Sequence, residues 1–147
     1  MTGVAYKGST IQESNKIGHV SYVERYVTGY DEFGNPQYNT ATHSTGAKIN
    51  GTVNSTSTVY VNGQPIASVS SPTQEQWVAD PSPSPKLGGS IISISPGTSG
   101  SGTGSVSSGS SKVFVGGKAV ASIGKNVTTH LGTSTTITSG SSNVFVN

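Results

Sequence analysis

Residues 57–69 read STVYVNGQPIASV, and the pattern returns at residues 111–123 as SKVFVGGKAVASI. Residues 142–147, SNVFVN, begin it a third time. In the first copy, alternating Val and Tyr side chains precede Asn62-Gly63, a pair of residues that a type I′ hairpin turn favours. We therefore predict a β-hairpin in each copy, with Gly116-Gly117 forming the second turn because glycine readily adopts positive φ.

The turn also predicts the register of the first hairpin. A two-residue turn pairs Val61 with Gln64 and Tyr60 with Pro65. The proline is tolerated because this is a non-hydrogen-bonded pair, so its missing N–H would point away from the partner strand. Apolar side chains then occupy both faces of the hairpin, and we expect both faces to be covered.

Composition indicates an all-β protein. Hydrophobic residues make up only 31% of the 147, while Gly, Ser, Thr and Asn are abundant. Small hydroxyl and β-branched residues favour strands and turns, and no apolar stripe at helical spacing continues for several turns. The length suits one domain, which we expect to cover residues 1–147.

Charge and residue content exclude several classes of function. The eight Lys and Arg are scattered among six Asp and Glu, so no basic cluster predicts nucleic-acid binding. The absence of Cys excludes disulfides, thiolate catalysis and Cys-ligated metal. Residues 1–10 lack the apolar core of a signal peptide, and no apolar run reaches membrane-spanning length. We expect synthesis in the cytoplasm without a signal peptide.

Two segments are predicted to interrupt the repeats. Residues 80–111 are dominated by Pro, Gly and Ser, and we predict mainly a surface loop with a possible short strand at residues 91–94. Residues 21–40 place Tyr22, Tyr26 and Tyr30 on one face of an extended chain and continue into DEFGN, a turn signal. This segment predicts a hairpin-like insertion.

The repeats resemble those of PAAR-repeat proteins, whose consensus runs approximately Val-Phe-Val-Asn-Gly-Lys-Pro-Ala-Ala-Arg-Val-Gly-Asp. The likeness covers roughly Ile49–Val69 and Ser105–Asn147, and KIGHV at residues 16–20 is a weaker copy of the repeat's end. The family's tetrapeptide appears here as Pro65-Ile66-Ala67-Ser68 and Ala119-Val120-Ala121-Ser122. Serine thus replaces its arginine in both copies.

The resemblance implies a small pseudo-threefold β-pyramid of repeated hairpins with loop insertions. Such a protein caps the trimeric β-helical spike of a contractile phage tail or injection system and sharpens it for penetration of the cell envelope. One monomeric tip would bind each trimeric spike, because a monomer can occupy a threefold axis only if it imitates that symmetry internally. The expected location is the spike tip of a virion or injection particle, after synthesis in the bacterial cytoplasm.

The three histidines of the chain, His19, His43 and His130, are candidate metal ligands. Three imidazoles suffice for zinc if water or a fourth ligand completes the tetrahedron. His43 and His130 lie at nearly the same register before a repeat. The resemblance implies that all three hold a structural zinc ion at the vertex, with iron as a less favoured metal. The residues alone leave open that these are three surface imidazoles.

Two other functions remain open. A β-rich carbohydrate-binding module of a fibre or adhesin could use Tyr22, Tyr26 and Tyr30 as a stacking platform. A metal hydrolase would need Glu24, Asp31 or Glu32 as a base beside zinc-bound water. No His-Glu-x-x-His motif is present, so we expect no enzymatic activity.

Overall fold

The computed structural model describes all 147 residues and is entirely β-structured, as predicted. It has no helix, and so no helix that is long and apolar enough to span a membrane. In chain order the strands are β1 (Thr2–Gly3), β2 (Ser14–Tyr30), β3 (Pro36–Val53), β4 (Tyr60–Val61), β5 (Gln64–Pro65), β6 (Thr73–Asp80), β7 (Ser90–Ser95), β8 (Ser99–Gly102), β9 (Ser105–Val106), β10 (Phe114–Val115), β11 (Lys118–Ala119), β12 (Asn126–Thr128), β13 (Ser134–Thr136) and β14 (Phe145–Val146).

The chain forms two compact units. The first comprises Met1–Asn15, Ile49–Trp77 and Ser101–Asn147, and the second comprises Lys16–Lys48 and Val78–Gly100. Two larger sheets have the orders β7-β2-β3-β6-β8 and β13-β12-β9, and three two-stranded sheets are the hairpins described next.

The first unit contains the three hairpins. The first hairpin, β4–β5, pairs Tyr60 with Pro65, which confirms the predicted register. The second hairpin, β10–β11, pairs Phe114 with Ala119 at the same position. The third is assembled from distant parts of the chain, since β14 pairs with β1 and sets Phe145 opposite Gly3. Residues from the beginning of the chain therefore complete the third copy.

The strand that completes the third copy is not the weaker copy of the repeat's end that the sequence indicated. The segment KIGHV, residues 16–20, lies inside the long strand β2 and is not the end of a repeat. Residues 3–8, GVAYKG, take that place and match PIASVS at residues 65–70. Sequence similarity missed this copy because only its alternation of small and apolar residues is shared.

A closed ring of backbone hydrogen bonds joins the three copies. The N–H of Ala5 donates to the carbonyl of Ala121 at 3.0 Å, that of Ala121 to Ala67 at 2.9 Å, and that of Ala67 to Ala5 at 2.9 Å. All three alanines are fully buried. Each copy thus bonds to the next in a cycle, and the predicted pseudo-threefold arrangement of hairpins is confirmed in this unit.

Two apolar clusters fill the first unit. One contains the three alanines of the ring together with Ile11, Val53, Val106, Val127 and Ile137. The other is built from the inward-facing residues of the hairpins: Val4, Ile66 and Val120, with Val61 and Val146. Strand alternation places these side chains on one face, so each hairpin contributes to a shared core that no single hairpin could form alone.

The hairpin turns have the predicted geometry. Asn62 and Gly63 have φ values of +52° and +80°, and Gly116 and Gly117 have +59° and +80°. Positive φ at both central residues is the mark of a type I′ turn, which asparagine and glycine tolerate best.

The second unit contains the predicted insertion at residues 21–40 and residues 80–100 of the other, whose residues 101–111 belong to the first unit. Strands β2 and β3 form a hairpin around a turn at residues 31–35, as the DEFGN motif indicated. Asp31 Oδ1 accepts the N–H groups of Phe33 and Asn35 at 2.9 and 2.8 Å and so closes the turn. Residues 90–95 form β7, which pairs with β2. The strands in residues 80–111 are more extensive than the single short strand that the sequence indicated.

Candidate docking face and histidine sites

The three hairpins expose matched apolar side chains. One aromatic residue is exposed at the equivalent position of each hairpin: Tyr60 (62%), Phe114 (57%) and Phe145 (48%). Each follows an exposed valine, at residues 59, 113 and 144. We call these six residues the docking face. On the side of the first hairpin that carries Tyr60, Ala67 is fully buried whereas Tyr60 is exposed, so the chain itself covers this side only in part.

The docking face has the symmetry of the backbone that carries it. The N–H of Ile66 donates to the carbonyl of Val59 at 2.8 Å, and Val120 and Val4 donate in the same way to Val113 and Val144 at 2.9 Å. The three apolar pairs are thus held in one geometry around the alanine ring. Repeated exposure of large apolar side chains at matched positions marks an interaction surface rather than scattered surface residues.

His43 belongs to a different site, in the second unit. Its Nε2 donates to Oε1 of Glu24 at 2.9 Å, and its ring lies 5.3 Å from that of the buried Tyr22. Glu24 is fully buried on β2. His19 lies half-buried on the same strand.

Glu24 is held mainly by backbone N–H groups of the segment 86–89. Lys86 and Gly89 each donate to one of its oxygens at 2.8 Å, and Leu87 donates to both at 3.1 and 2.9 Å. Burial raises the pKa of Glu24, but these hydrogen bonds and that from His43 lower it by more, from 4.5 to about 2. The carboxylate therefore fixes this segment while remaining ionised.

His130 pairs with a second buried carboxylate, in the first unit. Its backbone N–H and its Nδ1 both donate to Oε1 of Glu75, at 2.8 and 2.6 Å. Thr73 Oγ1 donates to the other carboxylate oxygen and accepts the N–H of Gly104 at 2.9 Å. Nε2 of His130 is buried without a hydrogen-bond partner.

Glycines make room for this pair. A Cβ at Gly102 would overlap the ring of His130, and one at Gly104 would overlap a carboxylate oxygen of Glu75. A Cβ at Gly51 would lie 2.9 Å from Glu75 Cγ. The close approach of three backbone segments explains why glycine occurs at these positions.

The structure does not gather the histidines into the expected metal site. No three His, Cys, Asp or Glu side chains lie close enough together to hold a metal ion. His43 and His130 direct ring nitrogens at two different glutamates. The donor set of His19, His43 and His130 therefore does not fit a tetrahedral zinc or an iron site.

The predicted tyrosine platform is also incomplete. Tyr22 is buried and Tyr26 is half-buried, so only Tyr30 is exposed. The end of the β2–β3 hairpin instead exposes Tyr30, Phe33 and Tyr38. The guanidinium of Arg25 lies 4.4 Å from the ring centroid of Tyr38 and so covers one of its faces.

Sequence reasoning missed the roles of Glu24 and Glu75. Each carboxylate is joined to a segment more than 50 residues away along the chain. One signal was available for Glu75: it lies in the alternating segment TQEQWVAD, on the face of β6 that carries Trp77 and Ala79. A carboxylate on an apolar face must find buried hydrogen-bond donors.

Comparisons of this chain with protein-family descriptions, with curated proteins and with solved structures found no match.

Proposed function

We propose that this protein is a non-enzymatic tip that caps a trimeric β-helical spike, as PAAR-repeat proteins do. The observation that supports the proposal is the docking face, with matched exposed apolar pairs in three hairpins around one ring of hydrogen bonds. A homotrimer presents three identical surfaces around its axis. A single chain can meet all three equally only if it carries three copies of the complementary surface.

The location and task follow from this partner. A cap on a spike of a phage tail or injection particle would be the first protein to meet the target envelope. Its first unit is suited to mechanical load because backbone hydrogen bonds join every copy to the next. The proposal includes no zinc or iron, since no three potential ligands lie together.

Native mass spectrometry tests the stoichiometry. The purified chain is mixed with purified trimeric β-helical spike proteins of contractile tails and injection systems, and we expect one tip bound to three spike chains. The triple variant Tyr60→Ser, Phe114→Ser and Phe145→Ser should lose binding, because the buried apolar contacts drive association. The matched control carries Tyr30→Ser, Phe33→Ser and Tyr38→Ser in the second unit and should bind normally.

A carbohydrate-binding module is the second candidate, and the exposed aromatics at the end of the β2–β3 hairpin favour it. Aromatic rings supply flat apolar faces, and Asn35 and Gln37 add exposed hydrogen-bonding groups nearby. A glycan array separates the two functions. The carbohydrate-binding candidate would replace the proposed cap if the unaltered chain binds glycans, forms a trimer by itself and binds no spike. The glycan binding should then be lost in the Tyr30, Phe33 and Tyr38 variant.

A further inference from the structure

Two grooves in the first unit occupy equivalent places between neighbouring hairpins. The groove between the first and second hairpins has a volume of about 520 Å³, and its lining includes Val69, Val115 and Lys118. The groove between the second and third hairpins has a volume of about 220 Å³, and its lining includes Ile123 and Val146. The two walls therefore come from matching residues of successive copies.

Backbone hydrogen bonds establish this equivalence and locate the third position. The N–H of Val69 donates to the carbonyl of Ala119 at 2.8 Å, and that of Ile123 donates to Gly3 at 3.0 Å. The third member of this set is the N–H of Lys7, which donates to Pro65 at 2.8 Å. Lys7 therefore stands between the third and first hairpins, where Val69 and Ile123 stand between the others.

Each of the three positions carries one lysine. Lys118 lines the first groove and Lys125 the second, while Lys7 is exposed at the third. No Asp or Glu lines either groove. The acidic residues of the first unit are Glu13 and the buried Glu75, against Lys112 and these three lysines, so its accessible charge is mainly positive.

The first groove adjoins the docking face, because Val59, which belongs to that face, also lines this groove with Lys118. A partner that covers the apolar pairs would therefore reach the first groove, and a threefold partner would present the same segment at the two equivalent positions. The lysines occupy different positions within their copies, and the long flexible stem of lysine gives each ammonium group a range of accessible positions.

We propose that each of the three positions binds a carboxylate-bearing segment from one chain of the homotrimeric partner, with Lys118, Lys125 and Lys7 each pairing with one carboxylate. This inference rests on the proposed function and specifies the chemistry of the partner's three ends. The apolar pairs supply contact area, and the three ion pairs fix the rotational register and steer the encounter. The carboxylate is either an acidic side chain or a chain terminus.

The test uses the spike trimer that binds in the native mass spectrometry experiment. The affinity of this trimer is measured at low and high salt for the unaltered chain and for the single variants Lys118→Glu and Lys125→Glu. A third variant combines both substitutions with Lys7→Glu. The matched control is Lys16→Glu, which reverses an exposed lysine in the second unit. Carbodiimide coupling of the unaltered complex, followed by peptide mapping, identifies the carboxylates that touch each lysine.

We expect each single reversal to weaken binding about tenfold at low salt, because it places like charges together, and the control to bind normally. Cross-links should join the three lysines to one repeated site of the spike, and the mapped peptide distinguishes a side chain from a terminus. A one-to-three complex whose affinity is unchanged in all three variants would overturn this inference without affecting the proposed cap function. Failure of every spike trimer to bind the unaltered chain would instead reject the cap and, with it, this inference.

Discussion

At the scale of single residues, two buried glutamates accept hydrogen bonds from parts of the chain that have no regular structure. Glu24 receives three backbone N–H groups from the segment 86–89, and Glu75 receives two donors from His130. A buried carboxylate is stable only when such donors replace its water. Each glutamate therefore makes one local conformation strongly preferred, and removing it would leave several donors without partners.

The pH dependence of stability reports on Glu24. Its folded pKa of about 2 lies below the ordinary 4.5, so its contribution is fully present above pH 4.5 and is lost as the pH falls towards 2. We expect the free energy of unfolding to decline over this interval and Glu24→Gln to show a shallower decline. Urea denaturation at a series of pH values measures both slopes. Glu32→Gln, an exposed control, should retain the original slope, and equal slopes in Glu24→Gln and the unaltered chain would contradict the assignment.

Gly102 is predicted to be essential for the packing of His130. A methyl group there would overlap the imidazole, so Gly102→Ala must displace either the ring or the backbone. We expect a loss of about 1–3 kcal/mol in the free energy of unfolding, measured by chemical denaturation. Gly29→Ala is the matched control because a Cβ at Gly29 meets nothing within 4 Å. A loss no larger than that of the control would show that the pair tolerates the methyl group.

At the scale of elements, the hairpins were predictable and their completion was not. The Asn62-Gly63 turn fixes positive φ and a two-residue loop, and those local requirements are sufficient to set the pairing of Tyr60 with Pro65. The pairing of β1 with β14 has no local signal, because no turn joins the two strands. The glutamate contacts of His43 and His130 depend on the same long-range placement, which explains why the local sequence did not indicate them.

The alanine ring predicts equal sensitivity at three sites. Ala5, Ala67 and Ala121 are fully buried and bonded in one cycle, so a larger side chain at any of them meets the same environment. We expect Ala→Leu at each site to lower the free energy of unfolding by similar amounts, about 1–3 kcal/mol. Thermal and urea denaturation measure the losses, with Ala41→Leu at a half-buried position of β3 as the control. A large loss at only one site would contradict the energetic equivalence of the copies.

At the scale of the whole chain, the third hairpin brings the two ends together. Val146 pairs with Thr2 as Val61 pairs with Gln64, so Asn147 and Met1 occupy the positions that Asn62 and Gly63 fill in the first hairpin. The all-β class was predictable from composition because it requires only average preferences. The pairing of β1 with β14 was not predictable, since it depends on which distant strands become neighbours in the folded chain.

A cyclic chain tests the closure. Joining Asn147 to residue 1 by a peptide bond in a Met1→Gly variant would recreate an Asn-Gly turn without any linker. We expect the cyclic protein to fold and to gain up to about 4 kcal/mol in the free energy of unfolding, because closing a long loop restricts the unfolded chain. Denaturation of the cyclic chain and of the linear Met1→Gly chain measures the gain. A cyclic chain less stable than the linear one would show that the ends do not adopt the turn.

The same pairing constrains the order of events during synthesis. Thr2 and Gly3 are made before their partners Val146 and Phe145, which follow more than 140 residues later in the chain. The first and second hairpins can form as soon as their own turns emerge, whereas β1 has no partner strand until β14 has been made. The hydrogen bonds of Ala5 to Ala67 and Ala121 can form earlier, so the nascent chain can close its central ring before its third hairpin.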